Sequence, residues 1–192
     1  GILILSQKPE DDEFIEETIR KNIPVVVFNR SVYHEVANIL TDESKGEMKA
    51  MEYLIQNGHK KIGIIEGLPN LASTRARHRG WRQAFEKYNM DVKSVKIARG
   101  DYRIMSGYHA GKELIAQDIT AILSFNDEMA FGAAKAIEEA GLRIPEDISI
   151  VGFDNINWFC DSVFPLTTIE RNMGMLATKA TELLFELIEN RN

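Results

Sequence analysis

Four arginines crowd the stretch STRARHRGWRQAF, residues 73–85: Arg75, Arg77, Arg79 and Arg82. Guanidinium groups this dense serve a nucleic-acid backbone, a solvated helix face or a single anion site. Their angular positions separate the cases. On a helical wheel at about 100° per residue, Arg75, Arg79, Arg82 and Glu86 share one side, and Arg82 and Glu86 stand four apart as an ion pair. Those three arginines read as a solvated face. Arg77 falls opposite them, in line with Gly80, Trp81, Ala84, Phe85 and Tyr88. A guanidinium on an apolar stripe near a helix start is poorly placed, because the helix end is partly positive and burial without acceptors is costly. It needs oxygen atoms. Two sources stay open at this point. Either the side chain snorkels outward or pairs with a structural carboxylate, or it closes over a ligand with Asp154 as counter-group. An Arg and an Asp converging with Asn126 nearby make a donor and acceptor set for a polyhydroxylated molecule, and Tyr102 can stack on its apolar face.

These side chains must be positioned by an alternation of short apolar runs and amphipathic stretches. ILIL (2–5), PVVVF (24–28), KIGIIE (61–66), AILSF (121–125) and ISIVGF (148–153) are continuous and β-branched, as strands buried on both faces of a parallel sheet are. Helical spacing covers 11–22, 44–57, 73–88, 127–140 and 174–189, with Gly58 and Gly141 as terminators. Ser106 is a candidate cap for a further helix through Leu114. Strand and helix alternate, which predicts an α/β fold of doubly wound parallel sheets. Ligands sit beyond the carboxyl ends of such strands. That rule selects Ser6, Asn29, Arg30, Glu66, Asn126, Asp127, Asp154 and Asn155, an unusually polar set.

Composition narrows the classes. The 192 residues carry a net charge of −6, which argues against broad nucleic-acid binding by this chain itself. At 44% hydrophobic and 27% charged residues the chain has a globular profile. Cys160 is the single cysteine, so an internal disulfide is impossible and a reducing, cytoplasmic compartment is expected. No apolar run approaches the roughly 18 residues of a membrane span, so no membrane partner is expected. The sequence opens without Met on the strand-like GILIL and closes on the helical LFELIENRN, which reads as part of a longer protein.

Other signals fall away on inspection. GYHAGKE (107–113) has the wrong glycine spacing and no Ser or Thr for a phosphate loop, and no G-x-G-x-x-G follows a strand. His34, His59, His78 and His109 lack metal-ligand spacing, and His59 reads as a residue past a helix end beside Lys60 and Lys61. In NDE (126–128), Asn126 or Asp127 reads better as a helix cap than as a catalytic acid. Cys160 reads as a small packing residue. No nucleophile–base pair emerges, so no enzyme, cofactor or metal is expected.

NGHKKIGIIEG (57–67), RARHRGWRQAF (75–85), GDYRIMSGY (100–108), AILSFNDEMAFGAAKAI (121–137), GLRIPEDISIVGFDN (141–155) and FPLTTIERN (164–172) follow one another as in LacI/GalR-type transcription regulators. The chain resembles their effector-binding domain over essentially its whole length. The resemblance implies a periplasmic-binding-protein-like architecture of two α/β subdomains. Residues 1–41 and 173–192 would form part of the N-terminal subdomain, and 42–172 the C-terminal one. The helix-turn-helix that binds operator DNA would lie outside this sequence. It also implies Arg77 as effector clamp, Asp154 as acceptor, Asn126 as polar contact and Tyr102 as aromatic wall, with Ser73 and Met173 lining the pocket. The expected function is a repressor's sugar-sensing domain, working by allostery in a homodimer. A periplasmic sugar-binding protein of a transport system is the alternative. NINWFCD (155–161) is bulkier than the family pattern, so Trp158 is expected to alter the pocket mouth or a subunit contact.

Overall fold

The computed structural model describes residues 1–29, 36–156 and 165–190. Arg30, His34, Trp158 and Cys160, and the expectations attached to them, lie outside that set. The chain divides into two compact units. The smaller comprises Gly1–Asp42, Asn70–Ser73 and Asn172–Asn192, and the larger Glu43–Pro69 and Thr74–Arg171.

In the smaller unit the strands β1 (Ile2–Leu5), β2 (Val25–Phe28) and β3 (Ala37–Ile39) form a parallel sheet in that order. The run VVVF is apolar at every position because both faces of β2 are covered. Val25 and Val27 pack with Ile15 and Ile19 of α1 (Asp12–Arg20). Val26 and Phe28 pack with Leu176, Ala180 and Leu183 of the last helix, Met173–Glu189. A strand alternates its side chains between faces, so one apolar run serves two helices.

The larger unit holds a five-stranded parallel sheet in the order β5 (Lys96–Arg99), β4 (Ile62–Glu66), β6 (Ala121–Ser124), β7 (Ser149–Asp154), β8 (Thr167–Glu170). The helices are α2 (Glu43–Gln56), α3 (Ala72–Lys87), α4 (Ile104–Ile115) and α5 (Asp127–Glu139), which leaves Met173–Glu189 as α6. Adjacent residues of β7 show the two faces: Gly152 abuts Asp127 of α5, while Phe153 fills the space beside Gly46 of α2. This is the doubly wound α/β class that the alternation predicts. Ile62, Ile64, Ile65, Leu123 and Val151 anchor a single core with Trp81, Phe85 and Leu114.

Three of these strands, β3, β5 and β8, are not announced by the apolar runs. Each lies at a sheet edge and is at least partly exposed, so nothing demands a continuous apolar run there. The run ILIL, expected to be buried on both faces, instead forms the edge strand β1, with Leu3 and Leu5 exposed. Ser106 is also not the cap of α4. That helix starts at Ile104 after Arg103, and the Ser106 hydroxyl sits inside the first turn, donating to the Arg103 carbonyl (2.8 Å). Asp101 serves the helix start instead, accepting from the Arg103 amide (3.0 Å).

Helices α4 and α5 pack backbone to backbone. A Cβ on Gly107 would collide with the Met129 main chain, and one on Gly132 with the Ile104 carbonyl oxygen. Gly132→Ala is therefore expected to destabilise the protein by about 1–3 kcal/mol, because overpacking outweighs alanine's helix preference of about 1 kcal/mol. Urea unfolding checks this; an equally or more stable variant contradicts the close crossing.

Candidate functional site

Arg77 is 2% exposed, although it is the longest cation on the core-facing stripe of α3. Arg75, Arg79 and Arg82 are exposed, as the wheel requires. The Arg77 guanidinium carbon lies over the Phe153 ring, 3.8 Å from its centroid. Its Nε donates to Glu43 Oε2 at 3.1 Å and its Nη2 to Asp154 Oδ1 at 3.4 Å. Of the readings left open by the sequence, pairing with a carboxylate is the one seen: Glu43 holds one edge of the group, and Asp154 meets another. Nη1 has no hydrogen-bond partner among the described residues.

A second arginine shares these carboxylates. Arg171 Nη1 lies 3.3 Å from Asp154 Oδ1 and 3.6 Å from Glu43 Oε1. Glu43 stands at the start of α2, where a negative charge suits the helix end. Burial raises the Asp154 carboxyl above the usual carboxylate range, against the pull of Arg77 and Arg171. Asp154 also has a positive φ of 113°, a conformation that is sterically strained for a side chain of its type. The strand turns sharply there and brings its carboxylate to the two guanidiniums.

The other expected residues divide by role. Tyr102, held at φ 72°, lays its ring over Gly67, where a Cβ would collide with it. Its hydroxyl pairs with Thr74 Oγ1 at 2.6 Å. Asn126 caps α5, its Oδ1 accepting from the Met129 amide (3.0 Å) and its Nδ2 donating to the Tyr102 carbonyl (3.0 Å). It therefore fixes the ring's backbone as well as the helix start. Asp127 fastens the turn after β7, accepting from the Ile156 amide (2.8 Å) and the Thr168 hydroxyl (2.6 Å). Burial raises its pKa, and these two bonds oppose the rise. Glu66 is taken up by His78, whose Nε2 accepts from Arg82 Nε at 2.8 Å, leaving Nδ1 to donate to the carboxylate. Ser73 is buried in the first turn of α3 and Met173 opens α6, 44% exposed. Both belong to the smaller unit.

The residues that sequence reasoning missed are Glu43, Glu47, Phe153 and Arg171. Arg171 directly follows β8, so the strand-end rule finds it once that strand is recognised. Phe153 reads from sequence only as core. Glu43 and Glu47 sit on the stretch 44–57 and its margin, where a carboxylate ordinarily signals solvent.

Among the described residues, no group of three or more His, Cys, Asp or Glu is placed to hold a metal ion. No described helix is long and apolar enough to cross a membrane. His59 stands past the end of α2 with its Nδ1 2.9 Å from Thr120 Oγ1, and burial lowers its pKa.

The buried Arg77 stands at the carboxyl end of a parallel sheet, the place where open α/β sheets bind their ligands. Residues 51–192 match the model of the periplasmic binding protein-like domain, and the chain belongs to that family, in the form carried by LacI/GalR-type regulators. The probable HTH-type transcriptional repressor ExuR of Bacillus subtilis (strain 168) is 38% identical over 98% of this chain and 57% of its own length. The HTH-type transcriptional repressor PurR of Pasteurella multocida (strain Pm70) is 35% identical over 100% of this chain and 58% of its own. The chain thus spans just over half the length of these relatives, which are named as repressors rather than enzymes. A solved LacI family transcriptional regulator from Enterococcus faecium with bound ribose superposes with a TM-score of 0.89. It is 26% identical, over 97% of this chain and 71% of that one.

The Asp127 clasp gives a direct test. Thr168→Val removes one donor and leaves a buried carboxylate oxygen unpaired, so a loss of about 1–3 kcal/mol is expected in chemical denaturation. Wild-type stability in that variant would show that the clasp does not hold the turn.

Proposed function

We propose that this chain is the effector-sensing part of a cytoplasmic, LacI/GalR-type transcriptional repressor, and that it binds a sugar or sugar derivative without transforming it. The observation that carries the reading is the Arg77 guanidinium, almost wholly buried yet with Nη1 unpartnered among the described residues, facing Asp154 at the end of β7. Arg77 supplies N–H donors and Asp154 an acceptor, the pair that a ring bearing several hydroxyls requires. Tyr102 supplies an aromatic face, as carbohydrate rings with apolar C–H faces require. The ribose bound by the Enterococcus faecium regulator supports a sugar in this role.

Binding controls transcription only if the effector favours one conformation of the regulator over another. A coupling of about 1–3 kcal/mol between effector and operator DNA is the ordinary scale for such proteins. In this proposal the DNA is held by a separate domain of the longer protein, acting as a homodimer. The repressor names of the relatives, matched over 98% and 100% of this chain, favour regulation over a transport binding protein.

A thermal-shift screen of the full-length protein against pentoses, hexoses and sugar acids tests the reading, since a ligand of the folded state stabilises it by mass action. Arg77→Lys keeps the charge but loses the planar fork, and removing a charge-assisted contact is worth about 1.5–3 kcal/mol, roughly 10- to 150-fold in affinity. Calorimetry with the sugar that gives the largest shift reads this directly. Unchanged affinity in a folded Arg77→Lys protein would dismiss Arg77 as the effector contact.

A further inference from the structure

Directly inside the Arg77 cluster lies a carboxyl group that the site does not use. Glu47 is 0% exposed, one turn beyond Glu43 on α2. Neither of its oxygens has a hydrogen-bond partner among the described residues. The crossing of α2 over α3 encloses it: a Cβ on Gly80 would collide with the Ser44 carbonyl and lie 2.9 Å from the Glu47 Cβ. An ionised carboxylate in such a place is the costliest group a protein can bury unless a cation answers it.

The cations are already engaged. Arg77 bonds Glu43 and Asp154, and Arg171 faces the same two carboxylates, so these two positive and two negative groups balance. An ionised Glu47 would be a third anion against two guanidiniums. The charges that act on Glu47 have that sign: Arg77 favours its anion, whereas Glu43 and Asp154 from the cluster and Glu66 at the end of β4 oppose it. Burial outweighs them all and pushes its pKa up to about 8.

We propose that Glu47 is a proton-linked positioning residue for Arg77, neutral in the binding-competent state and, once ionised, drawing the guanidinium away from Asp154. The chemistry is one acid–base step. The Glu47 O–H bond breaks, the proton passes to solvent, and the electron pair stays on the carboxylate, which then competes with Glu43 and Asp154 for the Arg77 donors. Nη1, with no partner among the described residues, is the donor open to it. The inference rests on Arg77 being the effector contact for its consequence in binding, but the proton site itself stands without any effector.

The linkage has a definite sign. The folded pKa lies above the unfolded value, so the folded state binds more protons between the two. The group's contribution to stability is fully present below about 4.5, falls as pH rises, and levels off once pH passes about 8. Glu47→Gln, neutral at every pH, lacks this decline.

The test is a side-chain NMR titration of the Arg77 Nε–H in the full-length protein labelled with 15N-arginine, from pH 6.5 to 9.5. The wild type is expected to show a transition in that signal between pH 7 and 9, absent in Glu47→Gln. A featureless wild-type titration, or the same transition in Glu47→Gln, would overturn the proposal. Should Glu47→Gln fail to fold, a 13C titration of the Glu47 carboxyl in the wild type decides: a midpoint near 8 supports the proposal, and a midpoint in the ordinary carboxylate range overturns it. With ribose as the probe, apparent affinity is expected to weaken about tenfold from pH 7 to 9 in the wild type, as the protonated fraction falls from roughly 0.9 to 0.1, and to stay level in Glu47→Gln. Equal pH slopes in the two proteins would sink the positioning role while leaving Arg77 as a contact. An absence of ribose binding at every pH removes ribose as the effector and leaves the NMR result to judge Glu47.

Discussion

A planar cation buried against the ring of Phe153, with oxygen atoms arranged along its edges, is the constraint around which the larger unit is organised. A guanidinium cannot give up its proton to escape burial, so the surroundings must supply acceptors. Glu43 comes from the first turn of α2, Asp154 from the end of β7 and the second cation, Arg171, from just beyond β8. Three elements distant in sequence thus meet at one charge. The net result is a compact, nearly neutral ion network, which by itself is weak evidence for stability, because desolvation offsets much of the attraction. Such a network is better understood as a device that fixes where donors and acceptors point.

Around that centre the structure spends small residues and backbone strain to keep surfaces in place. Gly67 leaves room for the Tyr102 ring, and Gly152 leaves room for Asp127. Asp154 and Tyr102 both adopt positive φ, and each is secured by neighbours. Asn126 binds the Tyr102 carbonyl, while Asp127 clamps Ile156 and Thr168 on the far side of the β7 turn. The polar residues at these strand ends are therefore of two kinds. Some face the cluster, and others hold the segments that carry it.

Acids, a histidine and a threonine hydroxyl stand together near these strand ends, and their partners fix what each of them does. Among the described residues, Glu43 and Asp154 are engaged by guanidiniums, and Asp127 by the Ile156 amide and the Thr168 hydroxyl. His78 is likewise committed, between Arg82 and Glu66. In the proposed reading, the candidate site's hydrogen-bonding groups are held in advance by one another, which limits the ordering that a ligand must bring about.

Much of this was legible in the residues alone. The apolar runs gave away the buried strands because β2, β4, β6 and β7 are covered on both faces, and the wheel isolated Arg77 because helical periodicity is a property of the chain. Strand-end position marked Asp154, and the ordered motif blocks marked the LacI/GalR-type family. The edge strands β3, β5 and β8 were silent, since a strand with one open flank needs no unbroken apolar run. Glu43 and Glu47 were silent for a related reason. A glutamate on an amphipathic helix signals solvent until another helix crosses over it, and the close approach of α3 to α2 at Gly80 is what turns that surface inward. Periodicity dictated which side chains face the core; only the packing of one element on another decided which charges would have to share it.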